Sequence, residues 1–414
     1  QFWIMVLGAL LSSSGGSMIW PFLTIYIRAR LGVPLTVAGG LLALNAGLGL
    51  VATFIGGGLA DRFGRKGLMV ASLLLNGASY LFMAQATSAG SFALLLALSG
   101  LVNPLFRVGS DAMVADLIPN EERPSAYSVL RISQNVGVAI GPAVGGFLAA
   151  TGYNTAFYLA FAGMTAYGLL MLLLAHETLR RGEATETARP ADEPGYRAAL
   201  SDRPFLAFVV MLTLATISSA FVWTLLPVYT KENFGIPENL YGFIPTTNAL
   251  MVVLLQYQVT RVTKRFNALP VLAAGALLYA LGSGSNALWQ TFPGFLAGMV
   301  VLTLGELTLV PTASSYTASL APPELRGRYM GLYNLAWGVA SGVAPLLGGA
   351  LNDNVAPSAI WIAGLCSGVA SATGFWLLSR WSGRQANGPC PAVGEETPIE
   401  ELPSLDGDEP SPAP

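Results

Sequence analysis

Apolar runs of about 20 residues follow one another along the whole chain, separated by short clusters of Gly, Pro and charged residues. That is the length a helix needs to cross a hydrocarbon layer about 30 Å thick. The runs are continuously apolar, and they carry Gly and Pro as membrane helices often do. The strands of a membrane barrel would instead alternate over segments of about 10 residues. The pattern predicts helices at 2–27, 38–60, 67–87, 91–115, 126–150 and 154–176, then at 204–230, 240–262, 269–287, 292–320, 328–351 and 358–379. Between the sets, His176 to Pro204 is too polar for lipid and has the Pro, Gly and Glu content of a linker. The expected organisation is a six-helix bundle over 1–180, a linker over 181–203, a second six-helix bundle over 204–380 and an acidic, Pro-rich disordered tail over 381–414.

Composition agrees with a bilayer as the solvent. Hydrophobic residues make up 53% and charged residues 11% of the 414, more apolar than a soluble domain of this size requires. Cytoplasmic loops retain Lys and Arg, so the bases orient the chain. With the N-terminus inside, the inner loops receive Arg62, Arg65, Lys66, Arg123, Arg180, Arg181, Arg189, Arg197, Arg203, Arg261, Lys264, Arg265, Arg326, Arg328, Arg380 and Arg384. The outer side receives Arg28, Arg30 and Lys231, and Arg107 and Arg131 fall within spans. Both termini are expected in the cytoplasm of a bacterium, with the protein in its inner membrane. No basic start or small-residue cleavage site of a signal peptide precedes Trp20 and Pro21. Cys366 and Cys390 imply no disulfide framework.

The chain repeats itself. ADLIPNEERPSAYSVLRISQNVGVAIGPAVGGFL begins at Ala115 and ASLAPPELRGRYMGLYNLAWGVASGVAPLLGGAL at Ala318, an ungapped offset of 203 residues. Pro119 pairs with Pro322, Arg123 with Arg326, Pro142 with Pro345, and Gly145 and Gly146 with Gly348 and Gly349. Both copies join even to odd helices in the same direction, which predicts parallel halves with a substrate site between them.

Charge is concentrated in GGGLADRFGRK, Gly56 to Lys66, between helices 2 and 3. Gly57 would let helix 2 approach a neighbour, Gly64 would permit a tight turn, and Asp61 with Arg65 could bridge helix ends. In helix 5, Gly137, Gly141 and Gly145 recur every four residues on one face, beside Pro142 and Gly146. Helix 11 carries a weaker echo in Gly338, Gly342, Pro345, Gly348 and Gly349.

At these residues the chain resembles the major facilitator superfamily. Gly57, Asp61, Arg62, Gly64, Arg65 and Lys66 match its loop signature G-x-x-x-D-R-x-G-R-[RK], and Gly137, Gly141, Pro142, Gly145 and Gly146 resemble the G-x-x-x-G-P-x-x-G-G motif of drug:proton antiporters. The resemblance implies an all-α membrane protein of twelve transmembrane helices in two pseudo-symmetric six-helix bundles. It also implies that Asp116, in VADLIP, pairs with the signature arginine and that these charges latch the cytoplasmic gate when the cavity faces outward. The second half keeps only RVTKRFN, Arg261 to Asn267, so any latch is asymmetric.

Glu306, in the middle of helix 10, is the leading candidate for chemistry. An ionised carboxylate at that depth costs about 2.5–3.5 kcal/mol on insertion scales, so it needs a function or a partner. It is expected to exchange a proton for a cationic substrate in a shared cavity, as the resemblance implies for a helix 10 Gly-Glu pair. A structural acid held by hydroxyls such as Thr303 is the alternative. Arg107 and Asp111 lie four apart on one face of helix 4, where they could pair. Asp111 could also be a second protonation site, or Arg107 and Arg131 could neutralise Asp111 and Asp116. Trp20, Tyr26, Asn45, Asn103, Gln134, Trp223, Asn248, Gln256, Tyr333, Asn334 and Trp337 are polar or aromatic residues within spans that could line an apolar, aromatic drug-type cavity.

The leading expectation is a secondary exporter of amphipathic, cationic small molecules, driven by protons and working in the bilayer as a monomer. A proton-coupled transporter of a specific sugar, amino acid or peptide is the alternative, and a non-transporting receptor or scaffold a further one. No nucleotide loop G-x-x-x-x-G-K-[ST] is present, and the lone His and two separated Cys offer neither a metal site nor an enzyme's nucleophile. No cofactor and no nucleic-acid partner are expected.

Overall fold

The computed structural model describes residues 1–119, 121–179, 196–322 and 325–386. Among them, twelve helices are long and apolar enough to cross a membrane. The first six are helix 1 (Phe2–Leu31), helix 2 (Leu35–Phe63), helix 3 (Arg65–Met83), helix 4 (Ala89–Leu117), helix 5 (Arg123–Thr151) and helix 6 (Tyr153–Leu174). The second six are helix 7 (Arg203–Phe234), helix 8 (Glu238–Thr263), helix 9 (Ala268–Ser285), helix 10 (Phe292–Leu320), helix 11 (Arg326–Asn354) and helix 12 (Ala359–Ala386). Every expected span is present. Helix 12 runs past the expected start of the tail, and Tyr196–Ser201 is a short helix within the expected linker. Residues 180–195 and 387–414, with most of the linker and tail, lie outside the described residues.

Local chemistry sets the helix ends. Helix 1 tightens to a 3-10 turn at Trp20–Phe22, where Pro21 cannot donate an α-helical hydrogen bond. It ends at Gly32, and helix 7 ends at Gly235, 203 residues later; both glycines take left-handed backbone at φ 62° and 65°. Ser88 caps helix 4, its side chain accepting from Ser91 N at 3.2 Å while Ser91 Oγ accepts from Ser88 N at 3.3 Å. Asp202 caps helix 7 by accepting from Phe205 N at 3.1 Å.

The halves meet along two equivalent seams. Helix 2 packs on helix 11 so closely that a methyl group on Gly39 would collide with the Pro345 carbonyl. Helix 8 packs on helix 5, where a methyl on Gly242 would lie 2.6 Å from Pro142 O. Gly39 and Gly242 are again 203 apart, as are the prolines, so the repeat is a repeat in space. Backbone contact of this kind is how membrane helices associate without a hydrophobic driving force between them. The helix 5 glycines divide the work. Gly137, Gly141 and Gly145 press on helix 1 at Leu10, Ser17 and Met18, while Gly146 presses on Glu238 of the other half. Outside the bundle, large apolar side chains such as Leu173, Val253 and Leu254 stand exposed, as a lipid-facing surface requires.

Candidate transport site

A cavity of about 950 Å³ lies between the halves. Helix 1 contributes Ser13, Ser17 and Trp20, helices 4 and 5 contribute Asn103, Arg107 and Gln134, and helices 7 and 11 contribute Trp223, Tyr333, Asn334 and Trp337. Of the expected cavity residues, Trp20, Asn103, Gln134, Trp223, Tyr333, Asn334 and Trp337 therefore face one space. The lining is aromatic and amide-rich, and Arg107 is the one charged side chain among the lining residues. Volume and lining suit an amphipathic small molecule.

Four expected residues are elsewhere, because a polar group in a span can be satisfied by a neighbouring helix as well as by a cavity. Asn45 is buried and donates to Leu96 O of helix 4 at 2.8 Å. Gln256 donates to Leu307 O at 3.1 Å and to Thr260 Oγ1 at 2.9 Å. Tyr26 is buried and packed between Phe92, Tyr153 and Phe157. Asn248 is buried against helix 10, where its amide donates to Glu306 Oε2 at 2.8 Å and to Thr303 Oγ1 at 3.0 Å.

Glu306 thus has a partner that the sequence did not suggest. Thr303 also attends it, indirectly: its hydroxyl donates to Met299 O at 2.7 Å and accepts from the amide that holds the carboxylate. Tyr279 lies within electrostatic reach of Glu306 and of Tyr333. Glu306 is not among the cavity-lining residues, which corrects the expectation of a shared space. Its carboxylate is turned toward helix 8, one helical turn from Val310, which does line the cavity.

On the face opposite loop 2–3, polar groups tie the halves together. Arg28 Nε meets Glu232 Oε1 at 2.8 Å. Asp353, from helix 11, caps helix 2 by accepting from Thr36 N and Thr36 Oγ1, each at 2.7 Å. Glu238 binds both Lys231 and the Tyr153 hydroxyl, and Lys231 Nζ lies 2.9 Å from that hydroxyl. On the loop 2–3 face the halves part, and nothing lies within 4 Å of where a side chain on Gly57 or Gly58 would begin. Gly57 therefore makes no close approach here, contrary to expectation; Gly56 does, since a methyl on it would lie 3.1 Å from Val108 Cγ2.

The loop charges form a knot within the first half. Arg65 Nη1 donates to Asp61 Oδ1 at 2.9 Å, and its Nε lies 3.2 Å from Asp116 Oδ2, the acid that the motif suggested. Gly64 makes the turn at φ 86°. Glu177, just beyond helix 6, was not anticipated. Its carboxylate accepts from Arg65 N at 3.0 Å and Lys66 N at 3.1 Å, the first free N–H groups of helix 3, and also from Thr178 N and Leu179 N. Partial burial works against its charge, but these four donors prevail and hold the carboxyl below the usual carboxylate range. The Thr178 hydroxyl then donates to Asp116 Oδ2 at 2.8 Å, closing the knot.

The sequence profile of the Major Facilitator Superfamily matches the chain twice, over residues 5–231 and 208–403. The chain belongs to that superfamily. It is 30% identical over 360 residues to a Na(+), Li(+), K(+)/H(+) antiporter of Planococcus maritimus, covering 80% of this chain and 84% of that one. It is 28% identical over 345 residues to multidrug resistance protein MdtH of Photorhabdus laumondii, covering 82% and 83%. The crystal structure of nucleoside transporter NupG superimposes with a TM-score of 0.78 at 12% identity, covering 92% of this chain and 99% of that one, a likeness of fold. The protein is a multi-pass membrane transporter of this superfamily and not an enzyme.

Among the described residues no ion pair within 4.0 Å joins Arg107 to Asp111 or Arg131 to Asp111 or Asp116, although Arg107 lies within electrostatic reach of Asp111. Arg107 faces the cavity instead, Asp111 is exposed and its backbone carbonyl accepts from the Tyr127 hydroxyl at 2.9 Å. Arg131 lies within electrostatic reach of Tyr333, across the gap between halves. Arg62 lies against Phe63, 5.6 Å from its ring centre.

Proposed function

We propose that the protein exports amphipathic, cationic small molecules in exchange for protons by alternating access, in a bacterial inner membrane with both termini in the cytoplasm, as a monomer. The observation that carries this reading is Glu306, a lone carboxylate at the middle of helix 10, held by the Asn248 amide one turn from the wall of an aromatic cavity. Glu306 takes up its proton at one face and gives it up at the other. Leaving Asn248 for the cavity brings the carboxylate to the substrate. The knot of Asp61, Arg65, Asp116 and Glu177 would engage the second half when the loop 2–3 face closes, and Gly57 would then find its neighbour. The multidrug name of one relative accords with this reading.

A second reading is exchange of small alkali cations for protons. It is favoured by the name of the Planococcus relative and by a cavity whose one charged lining residue is a cation, Arg107. The oxygens of Glu306, Asn248 and Thr303 would then serve without the large cavity. One experiment separates the two. Purified protein is reconstituted in liposomes with a pH dye inside, and gradients of a lipophilic cation or of K+ are imposed on wild type and Glu306→Gln. Exporter activity appears as counter-movement of protons with the lipophilic cation, lost in the variant. Proton movement with K+ alone selects the second reading, and none with either removes both.

A further inference from the structure

Trp20 and Trp223 are 203 positions apart, the offset that relates the two halves, and both line the central cavity, one from each half. The cavity ends just beyond them. Thr24 Oγ1 donates across the halves to Thr224 O at 3.0 Å, one turn after Trp20 and one residue after Trp223. The Arg28 and Glu232 ion pair follows, a turn beyond Thr24 on helix 1 and about two turns beyond Thr224 on helix 7. The two indoles therefore lie at the closed end of the cavity, with Tyr80 beside Trp20.

These tryptophans are not spent on packing. Trp361 shows the contrast, fully buried with its ring 5.0 Å from that of Tyr229. Trp20 keeps 36% of its surface accessible, Trp223 is partly accessible, and among the described ring contacts neither indole stacks on another ring; the Trp20 indole is instead steadied by a side-chain hydrogen bond with Tyr80, which leaves its faces open. Apolar surface facing an aqueous cavity lacks the stabilisation that a covering ligand restores. An indole face also attracts cations more strongly than any other side-chain ring.

We infer that Trp20 and Trp223 are the two faces of an aromatic clamp, which holds a flat, charge-delocalised aromatic cation at the closed end of the cavity. The inference rests on the exporter reading and narrows its substrate. It accounts for cation binding in a cavity that presents no carboxylate, since π faces supply the attraction and Arg107 lies toward the opposite end. Each half owns one jaw. When the halves part at the sealed face the jaws separate, so release of the cation accompanies opening on that side.

The test is equilibrium binding of ethidium, a flat aromatic cation, to the purified full-length protein, read by fluorescence anisotropy. Tetraphenylphosphonium, a cation that is not flat, competes as the comparison. Trp20→Ala and Trp223→Ala are each expected to weaken ethidium about tenfold, with smaller losses in Trp20→Phe and Trp223→Phe. Trp3→Ala, at an exposed site outside the cavity, should bind as wild type does. If an alanine variant fails to fold, the phenylalanine variants carry the test through a weakening that is greater for ethidium than for tetraphenylphosphonium. Unchanged ethidium binding in the Trp20 and Trp223 variants, or no binding by wild type, overturns the clamp. Proton counter-flow lost in Glu306→Gln together with unchanged ethidium binding in the tryptophan variants would overturn the clamp and leave the exporter. Tryptophan-dependent ethidium binding without any proton flux would do the reverse.

Discussion

The two halves descend through the same helices at the same spacing, yet they use one position differently. In the first half Asn45 reaches from helix 2 to the Leu96 carbonyl of helix 4, and Asn103 faces the cavity. In the second half the equivalents are Asn248, Met299 and Glu306, each 203 residues on. There the Met299 carbonyl is taken by the Thr303 hydroxyl, where the first half has Gly100. The Asn248 amide is thereby released from the backbone and turns to Glu306. A packing bond in one half has become a carboxylate holder in the other, through two residue differences on helix 10. The copies differ at the site proposed for proton exchange, while the seams between them, Gly39 on Pro345 and Gly242 on Pro142, are kept alike.

The largest expected effect breaks that difference. Glu306→Gln should reduce proton-coupled flux to the level of empty liposomes, whereas Asn103→Gln should alter substrate affinity and leave coupling intact, as measured by dye-reported flux at several substrate concentrations. Equal loss in both would show that the two positions are alike in function. Next come the asparagines. Asn248→Ala removes a hydrogen bond to a charged group, worth about 1.5–3 kcal/mol, and should displace the pH dependence of transport by about one pH unit or more. Asn45→Ala should leave the pH dependence in place and lower stability by about 0.5–1.5 kcal/mol, because one buried hydrogen bond is lost while the Leu96 carbonyl keeps its helical donor.

The seams sharpen the likeness. Gly39→Ala and Gly242→Ala each overpack a backbone contact and should each cost about 1–3 kcal/mol in thermal unfolding. A large inequality between them would show that the seams are not equivalent under load. The smallest effect concerns a feature confined to the first half. Glu177→Gln should cost about 0.3–1 kcal/mol at low ionic strength, the scale of a charge at a helix N-terminus, and screening should shrink it. Because the folded carboxyl titrates below the usual range, its contribution is present above that range and disappears as pH falls through the folded value. Wild type and Glu177→Gln should therefore converge in stability at acid pH.

The sequence carried the twelve spans, the repeat and the Asp61, Arg65 and Asp116 knot, because apolar length and motif spacing are local properties. Glu306 was legible through the cost of burying a charge. Its partner was not, since Asn248 is as well suited to a cavity as to a neighbouring helix until the helices are placed. Asn45, Gln256 and Tyr26 misled for the same reason. Glu177 was hidden because its bonds to Arg65 and Lys66 span more than a hundred residues, and alone it reads as one more acid in a polar linker. Gly57 was legible as a motif residue, but the space beside it belongs to the relation between halves.

From the exchange reading we propose that substrate binding drives the proton off Glu306. The most direct measurement is proton release into weakly buffered detergent solution when a lipophilic cation is added to the purified protein, followed with a pH dye alongside cation binding. Wild type should release protons as it binds, and Glu306→Gln should bind without releasing any. Release that persists in Glu306→Gln would place the exchanging proton on another group and contradict the proposal.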